Sequence, residues 1–450
     1  MPLNPGTQIK FDNGITYEVE GFLGSGGQGT IYKAKNLSDN QFYALKILVD
    51  PKENRKELKK RNIRALMGEE ANKNFNRIGE PYQIRYTFPL SSCEHEGETL
   101  YVMELARGVT LESVMHPETG AIRSKDMKYK LHLVRKIARA IEVLERLGKS
   151  YTDINWGNFM YDEGTDWLYV VDCENVASNT EIQEGRSFVL GNGYFMAPEV
   201  AFGLANAGKN ADRYALANMI FRIFINNRLL SPYDGKVMYS APVRVADMLG
   251  VRDLVDDGCL DDAWSVFIFD ETDHRNSIDD LYANANANQP NLQKERRKFD
   301  EVIRIWNSLD ERLKVLFRQA FKDPLKKESY ENRPAPWQWI NAIEKAIGKA
   351  KNSGTVRTSA PNPSRGGGKN FTDYSPFFGG ASTNYGCGTS KEDPFDKLPV
   401  FGGGASTNYG SGISKEDPFD KLPVFIGGGA GGQNGRGEVK PADPQKNNKP

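Results

Sequence analysis

Tyr151-Thr152-Asp153-Ile154-Asn155-Trp156-Gly157-Asn158 sets Asp153 and Asn158 five positions apart, and Asp172 follows fourteen residues later at the end of the apolar run Leu168-Tyr169-Val170-Val171. That spacing puts one catalytic carboxylate and two hard-oxygen metal ligands around a single phosphate. The plain alternative is that Asp and Asn in a loop merely cap turns. Two features upstream weigh against it: the glycine-rich stretch Leu23-Gly24-Ser25-Gly26-Gly27-Gln28-Gly29-Thr30-Ile31 and the strand-like Tyr43-Ala44-Leu45-Lys46.

A Gly-x-Gly-x-x-Gly turn alone is weak, because Gly24, Gly26 and Gly29 can simply make a hairpin. Here it lies between two strand-like segments rather than opening a helix. That disfavours a dinucleotide-binding unit and suits a flap whose backbone amides cover phosphates. Lys46 in an apolar strand can be an edge lysine reaching for solvent. On a phosphoryl-transfer reading, taken jointly with the glycine turn, it would be the charge that orients the α and β phosphates of ATP.

The bulk properties bound the rest. At 450 residues and 39% hydrophobic composition the chain can bury a sizeable core. Twenty of the 44 glycines fall in the last hundred residues, so the globular part is expected to end near Lys351. The net charge is zero overall and about −3 without that tail, which offers nucleic acid no electrostatic footprint. Cys93, Cys173, Cys259 and Cys387 form no CxxC pair, which argues against structural zinc and a disulfide framework and fits a reducing cytoplasm. The polar N-terminus lacks a signal peptide's apolar core, and Tyr214 to Leu230 is broken by Arg222, Arg228 and three asparagines. It reads as a buried helix, so no membrane span is expected.

Strand signals cover Tyr17 to Leu23, Thr30 to Lys35 and Phe42 to Leu48, followed by one helix from about Arg55 to Phe75. After Leu111 the pattern turns helical. Tyr129 to Leu147 carries an apolar face, and further helices are expected at Asp212 to Asn226, Gln293 to Asn307, Leu309 to Phe321 and Trp337 to Ala350. The tail repeats with period 24: Gly-Gly-Ala-Ser-Thr-Asn-Tyr-Gly starts at Gly379 and again at Gly403, each copy continuing through Ser-Lys-Glu-Asp-Pro-Phe-Asp-Lys-Leu-Pro-Val. Two copies so poor in apolar residues fall short of a stacked solenoid and read as disordered, with two linear motifs that offer a partner an Asp-Pro-Phe anchor.

From Tyr17 to Ala350 the chain resembles the eukaryotic-type protein kinase family. The resemblance implies an α+β bilobal fold, with a β-rich small lobe over about 17–105, a helical large lobe over about 106–350 and the tail over 351–450. It implies ATP and Mg2+ as cofactors and protein substrates. Val102-Met103-Glu104-Leu105 looks like the hinge, with Met103 as gatekeeper and Leu23, Ile31, Ala44, Met160 and Val171 lining the adenine slot. Asp153 is then the catalytic base, and Asn158 and Asp172 hold the metal. Lys46 is paired by a helix carboxylate, Glu70 in first place and Glu69 in second, although neither has the expected apolar residue four positions on. Met196-Ala197-Pro198-Glu199 looks like the end of the activation segment, Asp212 like the anchor of the catalytic loop, and Arg333 like the partner of Glu199. Asp-Ile-Asn-Trp-Gly-Asn, Val-Asp-Cys-Glu and Arg-Pro-Ala-Pro-Trp-Gln-Trp are similar to a bacterial group with Asp-Leu-Asn-Pro-Gly-Asn and Asp-Cys-Asp-Ser motifs.

Four departures bear on mechanism. Thr152 replaces the arginine that binds an activation-loop phosphate, so phosphorylation there need not switch the enzyme on. Asn155 takes the place of the lysine that helps neutralise the transferring phosphoryl, and Asn192 that of a substrate-orienting threonine. Cys173-Glu174 replaces Phe-Gly, filling less of the hydrophobic spine and restricting a backbone position that glycine leaves free. The expectation is a Ser/Thr protein kinase. The rival readings are a pseudokinase scaffold recruiting through the tail and a small-molecule kinase of the aminoglycoside or choline type.

Overall fold

The computed structural model describes residues 2–26, 29–49, 53–68, 71–116, 119–183, 193–236, 262–278 and 290–353. Gly27, Gln28, Glu69, Glu70, Asn192, Cys259, Cys387 and the tail with its repeats lie outside the described residues.

The N-terminal part is a six-stranded antiparallel sheet. Its strands are β1 (Gln8–Lys10), β2 (Thr16–Gly26), β3 (Gly29–Asn36), β4 (Phe42–Leu48), β6 (Pro89–His95) and β7 (Glu98–Glu104), in the order β1-β2-β3-β4-β7-β6. The edge strand β1 pairs with β2 and so lies upstream of Tyr17, where the domain was expected to open. Period-two alternation divides β4 between two cores. Leu45 and Ile47 join Tyr17, Val19, Tyr32 and Val102 on one face, while Ala44 and Leu48 meet Ile63, Tyr101 and Met103 on the other. Lys46 therefore faces the second core, among apolar neighbours.

Two helices follow β4 where one was expected: α1 (Glu53–Gly68) and α2 (Ala71–Gly79). Gly68, the poorest helix former in the stretch, is the last residue of α1. The short strand β5 (Ile84–Tyr86) then leaves the first sheet. It joins β8 (Val109–Thr110), β10 (Phe159–Asp162) and β11 (Trp167–Val170) in a second sheet of order β5-β11-β10-β8, with β5 parallel to β11.

The remainder is mainly helical, comprising α3 (Leu111–Met115), α4 (Met127–Arg146), α5 (Asn179–Gln183), α6 (Pro198–Ala201), α7 (Lys209–Phe224), α8 (Pro290–Ser308), α9 (Glu311–Phe321), α10 (Lys327–Glu331) and α11 (Pro336–Ser353). Asp126 caps α4 by accepting from the Tyr129 amide at 2.8 Å, and Pro336 opens α11, where a missing N–H costs nothing. The helix read from Tyr214 to Leu230 is α7, buried on every side from Tyr214 to Phe224. It packs against α4 and α9, and Phe221 meets Phe267, Phe317 and Phe321 edge to face. The sheet-rich start and helical remainder give the α+β class. Among the described residues no helix is long and apolar enough to cross a membrane.

Candidate active site

The hairpin β10–β11 is what gathers the polar residues. Phe159 pairs with Val170, and the Val171 amide donates to the Asn158 carbonyl at 3.0 Å, so Asn158 and Asp172 emerge side by side from one end of the hairpin. A two-stranded ribbon of β9 (Lys149–Ser150) and β12 (Ala177–Ser178) closes the loops around them.

Asp153 lies buried in a loop held from below by α7. The Asp212 carboxylate accepts the Tyr151 amide at 2.7 Å and the Thr152 amide at 3.0 Å, and Thr152 sits at φ +65°, a conformation costly for a β-branched residue. The Thr152 hydroxyl donates to the Asn175 carbonyl at 3.0 Å. Burial lifts the Asp212 carboxyl to about 7 against the pull of the two amides.

Three side-chain amides converge on Asp153. Asn155 Nδ2 donates to its Oδ1 at 3.0 Å, and Asn158 Nδ2 and Asn175 Nδ2 donate to its Oδ2 at 3.1 and 3.3 Å. Asn155 also accepts the Gly157 amide at 2.9 Å, so it braces the loop. Burial pushes the Asp153 carboxyl up and the nearby Asp172 adds to it, while the Asn155 and Asn158 amides oppose. A carboxylate so placed is a competent proton acceptor for a hydroxyl.

Lys46, 2% exposed, ends between two carboxylates: Glu174 Oε1 at 2.5 Å and Asp172 Oδ1 at 3.0 Å. Burial alone pulls an ammonium down, but the two negative charges outweigh it and leave Lys46 firmly protonated. Asp172 occupies a left-handed conformation at φ +52° and leads into the 3-10 turn Cys173–Asn175, where Glu174 keeps a negative φ. The positive φ therefore falls two residues before the glutamate that replaces glycine, on Asp172. Cys173 is fully buried, with its Sγ 3.2 Å from the Val170 carbonyl.

Of the residues expected around the adenine ring, Ala44 and Met103 face each other across β4 and β7 and share one apolar cluster with Ile31 and Leu105. Leu23 is 50% exposed at the end of β2. Met160 and Val171 are half-buried on and beside the β10–β11 hairpin, outside that cluster. Glu104, paired across β4 with Tyr43, has its carboxyl raised by burial against the pull of Arg85. Gly26 pairs with Gly29, and a Cβ on Gly29 would stand 2.2 Å from the Ile47 carbonyl and 3.2 Å from Lys46 Cε. Only glycine lets β3 lie this close over the lysine. A Cβ on Gly24 would meet nothing, leaving that surface open.

Below the site Arg333 grips Glu199 with both guanidinium nitrogens at 2.5 and 2.7 Å, both side chains almost wholly buried, and donates to the Asn210 carbonyl at 3.0 Å.

A family model described as "Protein kinase domain" matches residues 17–257, more than half of the chain. The chain belongs to the protein kinase family. Serine/threonine-protein kinase PknE of Mycobacterium tuberculosis is 25% identical over 223 residues, covering 49% of this chain and 36% of that protein. A probable serine/threonine-protein kinase of Clostridium perfringens, CPE1738, is 25% identical over 52% of this chain and 31% of its own length. The chain thus spans about a third of the length of these curated relatives. The solved structure of vaccinia related kinase 3 superposes with a TM-score of 0.50 at 13% identity, covering 78% of this chain and 93% of that one, a likeness of fold.

Within this kinase fold two residues near the centre were not singled out from sequence as site residues. Asn175 reaches Asp153, and Glu174 reaches Lys46. Their only sequence signal is position, three and two residues after Asp172. The expected carboxylate for Lys46, Glu70, and its runner-up Glu69 lie outside the described residues, so among those described the acids on Lys46 are Asp172 and Glu174. For magnesium the donor set fits. Asn158 spends its amide nitrogen on Asp153, which leaves its oxygen as a hard ligand, and Asp172 supplies a carboxylate. Among the described residues no three His, Cys, Asp or Glu side chains gather as a metal cage.

Proposed function

We propose that this chain is an ATP- and magnesium-dependent protein kinase that transfers the γ-phosphoryl group to Ser or Thr hydroxyls of protein substrates. The observation that carries the reading is the carboxylate of Asp153, clamped by three amides beside a buried lysine paired with Asp172. Asp153 accepts or steers the proton of the attacking hydroxyl, its raised affinity for protons favouring that role. The hydroxyl oxygen forms a bond to the γ-phosphorus as the bond to the bridging oxygen breaks, and ADP leaves. Lys46 orients the α and β phosphates, and the Gly24–Gly29 flap covers them with backbone amides. Asn158 and Asp172 would hold magnesium, which when bound would supply charge neutralisation on the phosphates. Asn155 positions Asp153 where other kinases carry a lysine, which leaves the transferring phosphoryl with one cation fewer.

The buried Arg333–Glu199 pair supports a protein acceptor over a small molecule, because it braces the segment ending in Ala197-Pro198-Glu199 that docks peptides in the family. The kinase domain is taken as 17–350, the chain as cytoplasmic, and the Asp-Pro-Phe repeats as a docking segment for a partner. The deciding experiment incubates the purified chain with labelled ATP, magnesium and generic protein acceptors and then identifies the phosphoamino acid. Phosphoserine or phosphothreonine supports the reading. Label on an aminoglycoside or choline alone, or no transfer at all, contradicts it.

A further inference from the structure

We propose that Glu174 is a positioning carboxylate of Lys46, supplied by the turn after the metal-binding aspartate. The two side chains meet at 2.5 Å with both nearly inaccessible to water. A buried lysine on an apolar strand face needs such a partner, since an unpaired buried charge is expensive. Asp172 gives a second contact at 3.0 Å, but it is also the proposed ligand of magnesium, and its charge is then shared with the ion.

Turns of α1 pack against the Cys173–Asn175 turn, and its inward face carries Ile63 and Leu66. Four residues before Ile63, on the same face, stands the cation Lys59. Glu57 on the same helix is exposed and paired with Lys60 at 3.1 Å. Among the described residues, the two carboxylates that meet the lysine belong to one short segment.

The inference rests on the kinase reading, and a binding measurement separates the two. In the full chain, affinity for a fluorescent ATP analogue with magnesium is measured for wild type, Glu174→Gln, Glu174→Asp, Lys46→Met and the double variant Lys46→Met/Glu174→Gln, alongside kcat and KM for ATP. Glu174→Gln is expected to weaken binding and kcat/KM by about ten- to hundredfold, the usual range for losing a charged hydrogen bond. Glu174→Asp should recover part of it. The double variant should lose no more than Lys46→Met alone, the non-additivity that marks one residue acting through another. Should Glu174→Gln fail to fold, Glu174→Asp carries the test through a raised KM for ATP with a smaller change in kcat. Unchanged or tighter binding in Glu174→Gln, or additive losses in the double variant, overturns the inference while leaving the kinase reading intact. Binding that follows this pattern without transfer to any protein would keep the pair and sink the reading. Wild type that binds no nucleotide would sink both.

Discussion

Asp153 sits where a lost side chain is felt most directly. Asp153→Ala should lower phosphoryl transfer by roughly two to four orders of magnitude, the typical worth of a positioned general base, and Asp172→Ala should abolish it. Steady-state assays with labelled ATP check this, and wild-type rates in both variants would show the chemistry lies elsewhere. Thr152 makes the second residue-scale prediction. Its hydroxyl is committed to the Asn175 carbonyl and no guanidinium occupies its place, so phosphatase-treated enzyme should keep most of its initial rate. A large loss restored by autophosphorylation between Val176 and Gly193 would contradict it. Asp212 makes the third. Its carboxyl is raised to about 7 in the fold from an ordinary 3.8, so the folded state holds its proton more tightly than the unfolded chain. That contribution to stability is fully present below 3.8 and is lost as pH rises toward 7, by up to about 1.4 kcal/mol per pH unit. The melting temperature of wild type relative to Asp212→Asn should therefore fall from pH 4 to 7 and level off above. A difference flat with pH refutes the assignment.

At the scale of elements, the salt pair between α6 and the turn before α11 invites a stability test. Removing one partner of a buried bidentate pair leaves the other charge stranded, so Arg333→Ala should cost about 3–5 kcal/mol in denaturant unfolding. A loss under 1 kcal/mol would show the pair to be dispensable. Elements also show what was legible in the chain. The strands around Lys46 and the helices α4, α7, α9 and α11 follow from period-two and helical patterns, with ends moved by a few residues through capping at Asp126 and Pro336. The approach of Asn158 to Asp172 follows from a hairpin between them. The division of the helix after β4 was not legible, because its charged surface carries little periodicity and Gly68 is a weak stop on its own. The meeting of Glu174 with Lys46 was hidden for a different reason. Two residues 128 positions apart are joined only by the left-handed bend at Asp172, and no local preference announces it.

The whole molecule adds one further expectation and one consequence. Since α11 packs along α4 and runs to Ser353, a chain ending there should keep the melting temperature and nucleotide affinity of the full protein. A lower melting temperature would mean that later residues pack on the fold. The consequence concerns β5. This strand comes from the N-terminal half yet pairs with β11. Tyr86 donates its hydroxyl to the Ala140 carbonyl at 2.7 Å, and Phe75 and Phe88 lie in the same apolar cluster as α4 and α7. The upper sheet is thus tied to the lower body twice, once through the chain after Glu104 and once through this strand. A plate pinned at two points turns about the line joining them and about no other. Opening between the sheet and the helical body is reduced to one rotation, and hydrogen exchange should find the Tyr86 and Thr87 amides, bonded to Asn76 and to the Val170 carbonyl, protected like the helical body.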